Sequence, residues 1–334
     1  MAKYLITGVA GFIGSNLAHA LIDRCKDVRG IDNFSNGRWE NIVDIAHRFD
    51  FRNADINDEH AIRSACDGVD YVLHQAALSS VPRSLADPIA TNHANVAGTL
   101  SVLEAARATG VKRVIFASSS SVYGNTPNLP KREQMELNPV SPYAVSKAAG
   151  ELYCQGFYNV LGLETVCLRY FNVFGPRQHP TSPYAAVIPK FIRQMLQGEQ
   201  PTIFGDGKQT RDFTFVDNVV TANLLACDAP GHEVCGRAFN IAAGRSVTLN
   251  ELYSVLQQLT GFDQPAAYAA ERPGDVHDSL ADTTQAQLAL GYKASVSFPE
   301  GLAKTVAWYK REMPNRLAGR VVSGVFQAGA GKPH

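Results

Sequence analysis

Near the amino end, a short apolar run breaks on glycines spaced three apart, and this pattern constrains the fold more than any other stretch. Lys3 to Thr7 reads as a β-rich strand. Thr7-Gly8-Val9-Ala10-Gly11-Phe12-Ile13-Gly14 reads as a tight turn, and residues 15–22 continue with helical periodicity. A strand that turns through glycines into a helix lets backbone approach a diphosphate closely, and the helix N-terminus adds N–H groups and positive potential. The spacing is G-x-x-G-x-x-G rather than G-x-G-x-x-G, and an ordinary tight turn also accounts for the glycines alone. Residues 28–31 then read as a second strand ending in Asp32. That is about 20 residues past the glycines, where an acid hydrogen-bonds an adenosine ribose. A carboxylate there repels a 2′-phosphate, which favours NAD over NADP. Arg38, in the next loop, suits the adenine and plain surface equally well.

The alternation continues. Residues 49–52 read as a third strand, followed by Asp55-Ile56. Residues 71–74 form a buried strand, followed by Gln75-Ala76-Ala77, whose small side chains suit backbone packed on a cofactor or a helix packed on a sheet. Residues 91–108 are helical, with Asn95 near their start, and residues 113–117 form a fifth strand. Such alternation predicts a doubly wound parallel sheet whose ligands lie outside the carboxyl ends of the strands. The expected organisation is an α/β Rossmann domain over 1–170 and a smaller mixed α/β substrate lobe, mainly 171–312, from which some segments return to the sheet. A tail follows over 313–334. In the second lobe, residues 186–196, 247–259 and 300–309 read as helices.

The formal net charge is zero over 334 residues, so no basic nucleic-acid surface or polybasic anchor is expected. No apolar run approaches the roughly 18 residues of a membrane span. The six cysteines include no C-x-x-C pair. They read as reduced thiols of a cytoplasmic protein with no metal site.

The chemistry centres on Ser141-Pro142-Tyr143-Ala144-Val145-Ser146-Lys147. Serine caps helices and proline is tolerated at the first helical position, so a helix is expected from Pro142. Tyr143 and Lys147 then share one face, four residues apart. A nearby ammonium favours a phenolate, and a tuned tyrosine can take a proton from a hydroxyl. Alone, the pair also describes a surface Tyr above a solvated Lys. Ser118-Ser119-Ser120-Ser121 follows the fifth strand, at the same carboxyl edge as the cofactor, where hydroxyls can donate to a developing oxyanion.

Together, Gly8, Gly11 and Gly14, Ser119, and Tyr143-x-x-x-Lys147 resemble the extended short-chain dehydrogenase/reductase family, and within it the nucleotide-sugar 4-epimerases. The stretches from His74 to Pro82, from Leu168 to Gly175 and from Tyr184 to Pro189 resemble the UDP-N-acetylhexosamine branch. The resemblance covers residues 1–312. It implies that Tyr143, as phenolate, removes the 4-hydroxyl proton while carbon 4 gives up hydride to NAD. Lys147 would hold the nicotinamide ribose, and Ser119 would hydrogen-bond the 4-oxygen as it becomes a ketone. The 4-keto sugar then turns over and is reduced on its other face.

The implied NAD site comprises Gly8, Gly11, Phe12, Ile13 and Gly14 in the turn, and Asp32, Asn33, Ser35, Asn36 and Gly37 after the second strand. Asp55, Ile56, Gln75, Ala76, Ala77 and Asn95 line its middle, and Ser118, Tyr143, Lys147 and Tyr170 its catalytic end. The implied UDP-sugar site comprises Ser79, Ser80, Ser119, Ser120, Asn172, Gln178, Ala186 and Val187, with Arg211, Arg272, Asp275 and Ser279 further on. The family's homodimers pair two helices per subunit, here 91–108 and 142–160.

Family dehydratases and UDP-glucuronate decarboxylases carry an acid in the segment that reads Ser120-Ser121-Val122-Tyr123 here, which disfavours both reactions. Asn172 stands where UDP-glucuronate 4-epimerases tend to have Thr. Ser279 stands where hexose-only epimerases have Tyr, leaving room for an acetamido group. Ser79 departs from the Gly common in the acetamido-preferring branch. The expected substrates are UDP-GlcNAc and UDP-GalNAc, with UDP-Glc and UDP-Gal beside them. The alternatives are UDP-uronic acids such as UDP-GlcNAcA or UDP-GlcA and, in another class, a non-catalytic nucleotide-binding sensor.

Overall fold

The computed structural model describes residues 2–180, 186–271 and 278–317. Seven strands form the central sheet: β1 (Lys3–Thr7), β2 (Asp27–Asp32), β3 (Asp50–Asn53), β4 (Tyr71–His74), β5 (Arg113–Ser119), β6 (Glu164–Tyr170) and β7 (Arg237–Ile241). Their order is β7-β6-β5-β4-β1-β2-β3, and every neighbouring pair is parallel.

A parallel sheet is covered on both faces, so its central strands are mostly apolar, while the edge strand β3 is partly exposed. All four residues of β4 are buried. Adjacent residues serve opposite layers. Ile6 packs with Leu73, Ile115 and Leu168 under helix α1 (Phe12–Asp23), whereas Leu5 packs with Ile31, Val72 and Val114. The second layer is closed by α2 (Glu59–Cys66), α3 (Gly98–Ala108) and α4 (Pro142–Leu161). The strand order reverses between β1 and β4, which opens a crevice at their carboxyl ends.

The second lobe has its own aromatic core of Phe174, Phe191, Phe213, Phe215 and Phe298. Helices α5 (Val187–Leu196), α7 (Leu249–Thr260) and α8 (Phe298–Leu317) surround it. Between them, α6 (Val216–Asp228) packs its Val219 and Val220 against the sheet, and β7 adds a strand to its edge.

Two expected helices differ. The stretch 91–108 is broken: a short helix Pro88–Asn92 passes through a π-type turn, His93–Ala97, into α3. Asn95 sits in that turn with its side chain directed inward. The stretch 247–259 begins as a strand, Val247–Thr248, paired antiparallel with Thr210–Arg211. Thr248 then caps α7, its Oγ1 accepting from Glu251 N at 3.0 Å. At the carboxyl end, α8 continues through Leu317, past the boundary expected at residue 313.

Candidate active site

The glycine turn is built by packing. Gly8 has φ +68°, and a Cβ there would lie 2.8 Å from the Cα of Ala76. A Cβ on Gly14 would lie 2.1 Å from the Gly8 carbonyl oxygen. Gly11 begins α1, and no side chain caps the helix there. The caps of α2, α4 and α7, by contrast, are filled by Asp58, Ser141 and Thr248. The first N–H groups of α1 are therefore left for a ligand, and anions suit such ends.

At the end of β2, Asp32 is buried. Its Oδ2 accepts from Ala10 N at 2.9 Å and its Oδ1 from Phe34 N at 2.8 Å. Burial pushes its carboxyl pKa up, against the pull of those N–H groups. A Cβ on Gly37 would strike this carboxylate at 2.7 Å, so glycine keeps the loop close. Asn33 Nδ2 donates to Asp55 Oδ2 at 2.7 Å, which joins the ends of β2 and β3.

These groups line one cleft at the carboxyl edge of the sheet. It contains Gly8, Gly11, Phe12, Ile13 and Gly14, then Asp32, Asn33, Ser35, Asn36 and Gly37. Asp55, Ile56, Gln75, Ala76 and Ala77 follow, with Ser118, Tyr143, Lys147 and Tyr170 at the far end. The expected Asn95 is not among its walls. It acts behind them: Oδ1 accepts from Leu78 N at 2.8 Å, and Nδ2 donates to Ser146 Oγ at 3.0 Å. Ile31, Ala54, Asn57, Leu78, Ala94 and Ala117 complete the walls without having been singled out in the sequence. Apart from Asn57, their signal there is apolar or small, the same as that of core packing. An uncapped helix N-terminus, a glycine cradle and a terminal carboxylate fit a dinucleotide along this cleft.

Helix α4 starts at Pro142 because Ser141 Oγ accepts from Ala144 N at 3.2 Å. Tyr143 is half-buried, and its phenol faces Ser119. Burial raises the phenol pKa, and the Ser119 contact works against that rise. Lys147 is buried, its Nζ donating to the Ala117 carbonyl at 2.8 Å and lying 5.0 Å from the Phe116 ring centre. Burial lowers its pKa to about 8. The expected depression of the Tyr143 phenol by Lys147 is therefore not found in the protein alone. The ammonium is turned toward the Ala117 carbonyl, and desolvation dominates at the phenol.

The residues expected to hold substrate fall into two groups. Ser79, Ser80, Gln178 and Ala186 line a second cleft, which shares Phe12, Asn36 and Ser79 with the first. Its walls also hold Arg38, Arg83, Arg177 and His179; of these, the sequence reading weighed Arg38 alone. Arg38 Nη1 lies 2.7 Å from His179 Nε2, so it is tied to the second lobe. Asn172, Arg211 and Ser279 form the other group. Asn172 Nδ2 donates to the Asp212 carbonyl at 3.2 Å, and Arg211 Nη1 to the Thr210 carbonyl at 2.9 Å. Ser120 opens a 3-10 turn, Ser120–Tyr123, directly after β5, and Val187 begins α5. Arg272, Asp275 and Tyr184 lie outside the described residues.

A doubly wound sheet with a dinucleotide cleft that ends on Tyr143 and Lys147, beside the Ser118-Ser119 end of β5, defines an NAD-dependent enzyme of the extended short-chain dehydrogenase/reductase class. The chain belongs to the NAD dependent epimerase/dehydratase family, whose pattern matches residues 4–242. It is 38% identical over 314 residues to the UDP-glucose 4-epimerase of Mycolicibacterium smegmatis, covering 93% of this chain and 99% of that protein. The solved UDP-N-acetylglucosamine 4-epimerase from Methanobrevibacter ruminantium M1, in complex with UDP-N-acetylmuramic acid, is 42% identical with a TM-score of 0.89, over 93% of this chain and 99% of that one. The UDP-glucuronic acid 4-epimerase from Bacillus cereus, in complex with UDP-glucuronic acid and NAD, is 32% identical with a TM-score of 0.85, over 92% and 99%.

Proposed function

We propose that the protein inverts carbon 4 of UDP-hexoses, interconverting UDP-GlcNAc with UDP-GalNAc and also UDP-Glc with UDP-Gal. The observation that carries this reading is the meeting of Tyr143 and Lys147 with the end of β5 at one end of the dinucleotide cleft, where Ser119 follows the lining Ser118, with no acid in the adjoining Ser120–Tyr123 turn. Without that acid, elimination of water or loss of a carboxylate has no general acid or base in this turn.

In this reading Tyr143 takes the 4-hydroxyl proton, and Ser119 donates to the 4-oxygen as it becomes a carbonyl. The buried Lys147 ammonium supplies positive charge beneath both. NAD, when bound, supplies the acceptor and later the donor of the hydrogen on carbon 4, and its charge favours the Tyr143 phenolate. Because burial alone raises that phenol, the proton is lost readily only when the cleft is filled. This links proton removal to cofactor occupancy.

Ser279 in place of a larger residue supports acceptance of the acetamido group. Uronic acids form the second reading. It is favoured by Arg38, Arg83 and Arg177 in the cleft beside Ser79 and Ser80, since guanidinium groups suit carboxylates. Proton NMR of purified protein with UDP-GlcNAc, UDP-Glc and UDP-GlcA in parallel tests both. New GalNAc and galactose anomeric signals support the first reading, and conversion of UDP-GlcA alone supports the second.

We also infer a homodimer. Val145, Leu152 and Val160 on α4, with Leu85 and Ile89 on the short helices before α3, are 51–81% exposed. A second copy would cover them. Sedimentation equilibrium at twice the monomer mass supports this, and monomer mass refutes it. Cytoplasmic location is inferred from the six free thiols.

A further inference from the structure

Three consecutive residues at the end of β5 face three residues spaced four apart on α4, and two of the pairs are hydrogen-bonded. The Ala117 carbonyl accepts from Lys147 Nζ at 2.8 Å. The Ser118 hydroxyl donates to Glu151 Oε1 at 2.5 Å. Ser119 faces Tyr143 and works against the rise of its phenol pKa. Positions 143, 147 and 151 lie on one helix face, so the strand end and the helix are locked in register.

Glu151 is itself held. Arg169, on β6, donates to Oε1 through Nε at 2.9 Å and to Oε2 through Nη2 at 2.7 Å. Arg169 Nη1 donates to the Tyr123 hydroxyl at 2.8 Å, and that hydroxyl donates to Asn240 Oδ1 at 2.7 Å. The Arg169 and Glu151 side chains are 6% and 7% exposed. A buried ion pair gives little stability compared with well-packed apolar residues of the same volume. What it does provide is a carboxylate fixed in place beside the reacting centre.

The surroundings of Lys147 show why that matters. On β5 it meets the Phe116 ring and the Ala117 carbonyl, and on β4 it faces His74, kept neutral by burial. On its own helix it faces Tyr143, Glu151 and Cys154, and Cys154 and Glu151 oppose the loss of its charge. Glu151 is the one carboxylate in this set.

We propose that Glu151 is a positioning residue for the reaction: anchored by Arg169, it fixes the end of β5 through Ser118 and places a carboxylate one helical turn from Lys147. The proposal rests on the reading of Ser119, Tyr143 and Lys147 as the reacting centre.

The test uses two variants of the full-length protein. Glu151→Gln keeps the size and an acceptor for Ser118 but removes the charge. The double variant Glu151→Leu/Arg169→Leu removes both charges without stranding either. Lys147 is titrated by NMR of lysine labelled at carbon ε, assigned with Lys147→Arg, and kcat and KM are measured against pH. In Glu151→Gln the Lys147 midpoint and the alkaline limb of kcat are expected to fall together by about one pH unit. The KM for UDP-sugar should stay within about twofold, while loosening of the strand end in the double variant lowers kcat about tenfold at every pH. If Glu151→Gln does not fold, the tenfold fall of kcat in the double variant carries the test. A folded variant whose Lys147 midpoint and kcat profile match the parent overturns the proposal. A parent that turns over none of the three sugars while the Lys147 midpoint still shifts would locate the failure in the functional reading, not in Glu151.

Discussion

Nδ2 of Asn172 stands 3.3 Å from the hydroxyl of Ser279, a contact that spans 107 residues of chain. Asn172 holds a left-handed backbone with φ 35°, a conformation that asparagine tolerates better than most residues. Its amide is therefore aimed by the backbone, and Ser279 is the small partner it meets. Ser279→Tyr places a ring in this space. Turnover of UDP-GlcNAc is expected to fall by at least about 100-fold while UDP-Gal is spared. NMR of the two reactions side by side checks this, and equal losses would refute the wall argument.

Tyr143→Phe and Ser119→Ala remove reacting hydroxyls without touching the helix cap, which belongs to Ser141. Each should lower kcat by about 10²–10⁴, with the melting temperature unchanged in Tyr143→Phe and slightly lowered in Ser119→Ala, since Ser119 Oγ also accepts from Ser121 N at 3.2 Å. Ser141→Ala should show the reverse pattern, losing about 1 kcal/mol of stability. Thermal melts beside initial rates separate the two effects.

The glycine turn gives graded outcomes. Gly14→Ala must push its methyl group against the Gly8 carbonyl, 2.1 Å away, and Gly8→Ala combines a clash with Ala76 and a positive φ. Both should abolish retention of NAD, seen as loss of the nucleotide's ultraviolet absorbance from the purified protein. Gly162→Ala shares a positive φ of 72° but meets nothing within 4 Å. It should cost about 1 kcal/mol and leave NAD retention intact.

His74 predicts a limit at low pH. Its Nδ1 lies 2.7 Å from Thr7 Oγ1 and its Nε2 lies 3.0 Å from Thr99 Oγ1. Burial lowers its pKa to about 3. Between that value and 6.5 the unfolded chain binds a proton that the folded chain does not. Stability is therefore complete above 6.5 and lost as pH falls through the window, on the order of 2 kcal/mol by pH 5. Asp212, pushed up to about 6 by burial, acts in the opposite direction, since its folded form takes up the proton first. Urea midpoints of parent and His74→Gln across pH 4–7 isolate the histidine contribution. Parallel curves would rule it out.

The first five strands and the start of α4 were legible because their signals are local. Lys3–Thr7 and Tyr71–His74 are apolar runs bounded by turn residues, and Ser141-Pro142 is a cap followed by a fixed φ. The break at His93–Ala97 was not legible. It follows from Asn95 turning inward to hold Leu78, a contact set by tertiary packing. The role of Val247–Thr248 was hidden for the same reason, since a two-residue strand exists only through its partner Thr210–Arg211. In the site, Tyr143 and Lys147 announced themselves by spacing on one helix. Glu151 and Arg169 did not, because they meet across two elements, and Arg83, Arg177 and His179 reach one cleft from two lobes.

The sheet is finished late. Its edge strand, β7, comes from residues 237–241, although the reacting groups on β5 and α4 are all in place by residue 161. A chain cut at residue 170 would present β6 as an open edge, prone to pairing with other chains. During synthesis, the half that carries Ser119, Tyr143 and Lys147 thus waits on the ribosome for about 70 further residues before its outermost strand can be added, and a chaperone has most to protect in that interval.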